Sequence, residues 1–159
     1  DDFTAYKGVG RAKAVCLMAA CELGNRRMKE PTERKRIESS RDIADFFLPM
    51  LMELPHEECH VMLLRNNLTL KGTFLVGRGG ITESAVDIRL ILEAALRNQS
   101  TAIVLCHNHP SGSLTPSTMD KNLTRQLAEA CRIMNIRLLD HVIVSDQGYF
   151  SFKDQGLMD

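Results

Sequence analysis

The chain has 159 residues, of which 44% are hydrophobic and 25% are charged, and these values fit one globular domain with a modest appendage. Its 20 basic and 20 acidic residues balance, so the chain as a whole has no net charge that would favour a polyanionic partner. No apolar run reaches the ~18 residues needed to span a membrane, and no signal peptide opens the sequence. The five cysteines show no C-x-x-C spacing and predict reduced thiols, so we expect a cytoplasmic protein without membrane attachment.

Basic residues are concentrated at the amino terminus, where residues 1–36 hold nine lysines and arginines against five acids. Gly8-Val9-Gly10 leads into a helical pattern of apolar residues that ends at Gly24. A Gly-Val-Gly turn entering a helix resembles the second half of a helix-hairpin-helix element, whose backbone N–H groups bind a DNA phosphate. The first helix of such an element has no room in residues 1–7. DNA binding and a purely structural packing helix are therefore both open for this segment.

Residues 25–38 are charged, contain Pro31 and show little periodicity, which predicts a linker or an exposed arm. We therefore divide the chain into an amino-terminal segment, residues 1–36, and one domain, residues 37–159. The domain opens with a predicted helix that Ser39 or Ser40 caps. The apolar face of this helix consists of Ile43, Phe46, Phe47, Met50, Leu51 and Leu54. Pro49 lies inside the same run and predicts a kink or a break.

Two strand-like runs, residues 59–64 and 68–76, are separated by Arg65-Asn66-Asn67 and predict a β-hairpin. His56 and His60 straddle the entry to the first strand and are expected to be structural or exposed. The glycines of residues 77–80 lack the pattern of a P-loop or of a dinucleotide site, so we interpret them as a plain turn. Asp87 begins the next predicted helix, whose core-facing residues are Leu90, Ile91, Ala94 and Ala95.

A buried strand is predicted at residues 102–105, and it runs into His107-Asn108-His109. In an extended chain, residues two apart point to the same face. The imidazoles of His107 and His109 can therefore converge on one metal ion.

A turn follows the two histidines, and Thr115 is then the expected N-cap of a helix with Pro116 at its first position. This start leaves the carboxylate of Asp120 free as a third ligand, on the same helical face as Ser117. The alternative is that Ser117 and Asp120 form a capping box with no chemical role.

Two imidazoles and one carboxylate leave a fourth coordination position for water, which is typical of catalytic rather than structural zinc. We therefore expect Zn²⁺ to be bound by His107, His109 and Asp120.

The rest of the chain predicts an amphipathic helix at residues 119–134, a strand at 138–144 and a short strand at 149–152. Strands and helices alternate after an initial hairpin, which predicts the α/β class with a mixed β-sheet flanked by helices. His141 lies in an apolar strand and has two interpretations. It could orient a ligand histidine, or it could be a satisfied core residue.

The spacing His-x-His, seven residues, Ser, two residues, Asp resembles the signature of the JAMM (MPN) metalloproteases; it is met by His107, His109, Ser117 and Asp120. The fuller His-Asn-His-Pro-Ser-Gly, with Leu139–Val144 downstream, resembles the RadC family of bacteria in particular. This resemblance implies a JAMM/MPN, cytidine deaminase-like fold and zinc-dependent hydrolysis of peptide or isopeptide bonds. It also implies that Ser117 is catalytic, as a hydrogen-bond donor to the oxyanion, and that a glutamate acts as general base.

The sequence does not identify that glutamate, because residues 61–76 contain no acid and Glu57, Glu58 and Glu83 only flank them. The second hypothesis is a non-catalytic or DNA-associated accessory protein, in line with the DNA-repair label of RadC proteins. The expected partners are a peptide or protein substrate and, through the amino-terminal segment, DNA. An HNH nuclease is discounted because its three residues are dispersed over a ββα unit. A zinc deaminase is discounted because His-x-Glu and Pro-Cys-x-x-Cys are absent.

Overall fold

The structure, a computed structural model, describes Phe3 and residues 6–29, 36–79 and 86–158, with no side chains for residues 24–29. The chain divides into two compact units, Asp1–Arg34 and Lys35–Asp159.

Helix α1, Arg11–Lys29, forms most of the described part of the amino-terminal unit. It follows a turn in which the Val9 N–H donates to the Tyr6 carbonyl at 3.0 Å, with Gly8 at a φ of +88°. The predicted helix end at Gly24 is wrong, because α1 continues for five residues beyond it. A glycine inside a helix costs only about 1 kcal/mol, and the arginines, methionine and lysine that follow are good helix formers. The predicted linker is therefore partly helical, and its residues 30–35 lie outside the described residues.

Within the described residues, the second unit is built on a five-stranded sheet. Its strands are β1 Glu58–Leu64, β2 Leu70–Arg78, β3 Ala102–Asn108, β4 Arg137–Ser145 and β5 Gly148–Ser151. Their order is β2-β1-β3-β4-β5, with β3 and β4 parallel and the other neighbours antiparallel. The predicted mixed sheet is confirmed.

Helix α2, Ser40–Leu51, packs on one face of the sheet, where Phe47 and Leu51 join Met62, Val104 and Val142 in one buried cluster. Its N-cap is Ser39, in a capping box with Asp42. The helix passes through Pro49 without a break and ends two residues later. So close to the end, a proline removes one backbone hydrogen bond and disturbs little beyond it.

Helices α3, Ile88–Arg97, and α4, Thr118–Ile133, pack on the opposite face. Ile91 of α3 and Leu127 of α4 join Leu63 and Leu105 in the second buried cluster. Asp87 is the N-cap of α3, as predicted. Helix α4 connects the parallel strands β3 and β4, so its amino-terminal end lies beside the carboxyl end of β3. In α/β sheets, the carboxyl ends of strands are a common place for ligand sites.

All five cysteines lie within the described residues and are free thiols. Cys59, Cys106 and Cys131 are buried in the core, whereas Cys16 and Cys21 on α1 are exposed. No helix among the residues described here is both long and apolar enough to cross a membrane.

Candidate metal centre

Strand β3 brings its residues alternately to the two faces of the sheet. Ile103 and Leu105 belong to the cluster under α3 and α4, while Val104 and Cys106 belong to the cluster under α2. By this alternation, His107 points to the face that carries α4. His109 follows the strand, and its N–H donates to the Val144 carbonyl at 3.0 Å.

Helix α4 begins at Thr118 with Ser117 as its N-cap, so the predicted cap at Thr115 is wrong. The Asp120 N–H donates to Ser117 Oγ at 3.1 Å, and the Ser117 N–H donates to Asp120 Oδ2 at 2.7 Å. This reciprocal pair satisfies two backbone donors, and Asp120 in the first turn is also favoured by the helix dipole. Ser117 has a carboxylate three residues later, at Asp120, and can form both bonds of a capping box, whereas Thr115 has only Thr118 at that position.

Although Asp120 takes part in the capping box, its carboxylate also lies beside the two histidines. Its Oδ1 lies 3.2 Å from His107 Nε2, and its Oδ2 lies 3.6 Å from His109 Nε2. The two Nε2 atoms are 3.1 Å apart. His107, His109 and Asp120 thus offer three ligand atoms within 4.8 Å of one another, the only such group found among the described residues.

The chemistry of these atoms fits a cation. His109 Nδ1 lies 2.8 Å from the Ser113 carbonyl oxygen, which can only accept, so Nδ1 carries a proton. In a neutral imidazole, Nε2 of His109 then presents a lone pair to the carboxylate of Asp120. Acceptors that face one another need a cation between them, and two imidazoles with a carboxylate suit zinc and similar transition metals. The arrangement fits a site for a transition-metal ion.

When no cation is bound, protons on the histidines balance the charge of the Asp120 carboxylate. The pKa values of His109 and Asp120 show this balance. The Asp120 carboxylate, hydrogen-bonded to His109, raises the pKa of that histidine. Burial works to raise the pKa of Asp120, but the hydrogen bonds from His107 and His109 outweigh it and hold the pKa well below its usual range. The carboxylate therefore stays ionised, as a metal ligand must.

His141 lies directly against the centre. Its Nε2 is 2.9 Å from His107 Nδ1, and its ring stacks on Phe152 with centroids 4.7 Å apart. The side chain is completely buried, and this burial lowers the pKa of His141 well below its ordinary value. Of the two interpretations left open by the sequence, the contact with a ligand histidine favours the first.

A cavity of about 270 Å³ opens beside His107 and Asp120, between the start of β1 and helix α4. Glu57 lines this cavity together with His107 and Asp120. Val86, Met119 and Leu123 give the cavity apolar walls.

Glu58 also borders the cavity, but its carboxylate is engaged elsewhere. It lies 3.0 Å from His56 Nε2, 2.9 Å from His60 Nε2 and 2.7 Å from an Arg78 guanidinium nitrogen. His56 and His60 are thus structural partners of a buried acid, as expected. Glu83 lies outside the described residues.

Asn108, the middle residue of His-Asn-His, fixes the backbone beside Glu57. Its Oδ1 accepts from the Glu58 N–H at 2.7 Å, and its Nδ2 donates to the His56 carbonyl at 3.0 Å. The Glu57 carbonyl accepts from the Gly79 N–H at 2.8 Å. The backbone around Glu57 is therefore fixed by hydrogen bonds to Asn108 of β3 and to Gly79, the residue after β2.

Glu57 is one of the three flanking glutamates that the sequence offers, but the sequence does not single it out as the general base. The available signal was the pair of glutamates just before a predicted strand, where neighbouring side chains point to opposite faces. Cys59, two residues after Glu57, belongs to the cluster on the α4 face. Only one of the two glutamates can therefore face the centre, but the sequence does not tell which.

Comparison with known proteins gives concordant matches. The model of the RadC-like JAB domain family matches residues 37–157. A UPF0758 protein of Flavobacterium johnsoniae is 42% identical over 153 residues, covering 96% of this chain and 67% of its own length. UPF0758 proteins of Porphyromonas gingivalis and Staphylococcus carnosus are 41% and 38% identical, covering 97% and 100% of this chain and 69% and 71% of their own lengths.

Proposed function

The chain belongs to the RadC-like JAB domain family, and we propose that it is a zinc-dependent hydrolase of peptide or isopeptide bonds. The observation that carries this proposal is the convergence of His107, His109 and Asp120 beside an open cavity. Three protein ligands with a position left for water are characteristic of catalytic zinc.

Zinc held by these ligands would activate water near neutral pH and polarise a substrate carbonyl. The chain's own residues must then move protons and stabilise charge. Glu57 is the proposed general base, because it lines the cavity with His107 and Asp120 whereas the Glu58 carboxylate is bound to His56, His60 and Arg78. Glu57 would take the proton from the attacking water and deliver it to the leaving amine.

Ser117 is the proposed donor to the developing oxyanion. Its Oγ accepts the N–H of Asp120, and this bond uses a lone pair and leaves the hydroxyl proton available. Its position as N-cap of α4 fixes the hydroxyl next to a metal ligand. A donor held in place before the reaction stabilises the transition state without reorganisation.

The test is elemental analysis of the protein purified without added metal, beside Asp120→Ala, followed by peptide hydrolysis assays on both. We expect near-stoichiometric zinc and hydrolysis in the unaltered protein, and loss of both in the variant. If neither protein takes up metal even when zinc is supplied, the hydrolase proposal fails.

DNA binding by the amino-terminal unit is a second candidate. The turn from Tyr6 to Val9, with Gly8 in the left-handed region, leads directly into α1, whose first N–H groups have no intrahelical acceptor. Binding of this kind would weaken steeply with salt and on replacement of Arg11 and Lys13. A titration of duplex DNA at two salt concentrations distinguishes it from hydrolysis, which needs no such contact.

A further inference from the structure

A chain of hydrogen bonds lies behind His107, at the ring nitrogen that does not face the centre. His107 Nδ1 is 2.9 Å from His141 Nε2, and His141 Nδ1 is 2.6 Å from Thr124 Oγ1. Thr124 Oγ1 in turn donates to the Asp120 carbonyl oxygen at 2.6 Å. His141 and Thr124 are both buried, at 0% and 3% exposure, so water does not compete for these bonds.

The direction of each proton follows from the last acceptor. A carbonyl oxygen can only accept, so the single hydroxyl proton of Thr124 goes to Asp120. Thr124 Oγ1 therefore accepts from His141, whose Nδ1 must carry a proton.

His141 is stacked on Phe152, and among the described residues its ring nitrogens hydrogen-bond only to His107 and Thr124. A second proton would bury a charge with no carboxylate bonded to it, which is costly. His141 Nε2 therefore carries a lone pair, and it accepts a hydrogen bond from the Nδ1–H of His107.

The consequence reaches the centre, because a neutral imidazole with its proton on Nδ1 has its lone pair on Nε2. From this geometry, we propose that Thr124 and His141 are positioning residues that fix the His107 tautomer and present its Nε2 lone pair to the metal. The inference rests on the proposed metal site, which supplies the ligand role of His107.

The hydrogen-bond chain begins and ends at the two ligand residues. Its last acceptor is the main-chain carbonyl of Asp120, while the Asp120 carboxylate lies 3.2 Å from the Nε2 of His107. The first turns of α4 therefore supply one ligand directly and set the protonation of another. Acceptors behind a ligand histidine raise its basicity and fix its orientation, and losing them typically weakens metal binding 10- to 100-fold.

The simpler alternative is that Thr124 only bonds back to its own helix, as buried threonines often do. Thr124→Val removes the hydroxyl at nearly constant shape, while Thr124→Ser keeps it. If Thr124 only bonds back to its own helix, neither substitution changes the protonation of His107 or the zinc affinity, whereas the tautomer role predicts that Thr124→Val changes both.

The experiment has two readouts on folded, metal-free protein. The first is ¹⁵N NMR of the imidazole nitrogens, which reports whether His107 Nδ1 carries the proton that is donated to His141. The second is the zinc dissociation constant, measured by competition with a chromophoric chelator. We expect Thr124→Ser to keep the proton on His107 Nδ1 and near-normal zinc affinity. We expect Thr124→Val to lose that proton and to bind zinc about 10- to 100-fold more weakly.

His141→Phe is the second variant, in case Thr124→Val does not fold. It keeps an aromatic ring against Phe152 and removes the acceptor for His107. The proposal is overturned if a folded Thr124→Val or His141→Phe variant keeps the proton on His107 Nδ1 and normal zinc affinity. If the unaltered protein binds no zinc, the proposed function fails, while the NMR readout still decides whether His107 Nδ1 carries the proton.

Discussion

Asp120 Oδ1 lies 3.2 Å from His107 Nε2, although the same carboxylate caps helix α4 through Oδ2. The capping role of this side chain and its proposed ligand role are separable by substitution. Asp120→Asn keeps an oxygen for the Ser117 N–H but loses the negative charge, whereas Asp120→Ala loses both. We expect both variants to lose bound zinc, and the alanine variant alone to lose a further ~1 kcal/mol of unfolding free energy in the metal-free state. Elemental analysis and urea unfolding measure the two effects. Zinc retained by Asp120→Asn would contradict the ligand role.

Ser117 and Ser39 are matched caps, since each forms a capping box at the start of its helix. Replacing either serine by alanine should cost about 0.5–2 kcal/mol of unfolding free energy. Only Ser117→Ala should also reduce kcat for peptide hydrolysis, by about 10²- to 10³-fold, because Ser39 is distant in sequence and on the helix of the other sheet face. Equal kcat values in the two variants would remove Ser117 from the reaction.

Glu57 and Glu58 are neighbours with different surroundings, so they form a second matched pair. Glu57→Gln should abolish most hydrolysis, by 10²-fold or more, and leave zinc content unchanged, because the residue moves a proton and binds no metal. Glu58→Gln should retain hydrolysis where the protein remains folded. Assays of kcat with metal analysis on both variants check this. Normal turnover in Glu57→Gln would reject it as the base.

The ionisation of Glu58 should make the unfolding free energy of the protein depend on pH. Burial works to raise its pKa, but hydrogen bonds from His60, His56 and Arg78 lower it from an ordinary 4.5 to about 2. A carboxyl with a lower pKa in the folded state stabilises the fold above its unfolded pKa. This contribution is lost as the pH falls from about 4.5 to about 2.

Urea unfolding of Glu58→Gln should therefore show a shallower loss of stability over this pH range than the unaltered protein. Glu93→Gln is the control, since Glu93 forms an exposed pair with Arg97. The same pH slope in all three proteins would show that the Glu58 cluster contributes nothing to acid sensitivity.

The sequence by itself determined the α/β class, most of the strands and helices, and the grouping of His107, His109 and Asp120. These features depend on local periodicity and on spacing along 14 consecutive residues, so the backbone geometry of one strand, one turn and one helix start fixes them. The two wrong predictions, the cap at Thr115 and the end of α1 at Gly24, also concern local structure. The cap at Ser117 and the continuation of α1 through Gly24 each depend on local preferences that differ by only about 1 kcal/mol.

Only the tertiary structure decided which glutamate faces the centre and what lies behind His107. The face of Glu57 depends on the pairing of β1 with β3, where Cys59 is opposite His107. The contact of His107 with His141 joins residues 34 positions apart, and it depends on the parallel register of β3 and β4. A shift of one residue in either register would turn these side chains to the opposite face, and the packing of both faces of the sheet, rather than any local pattern, excludes it.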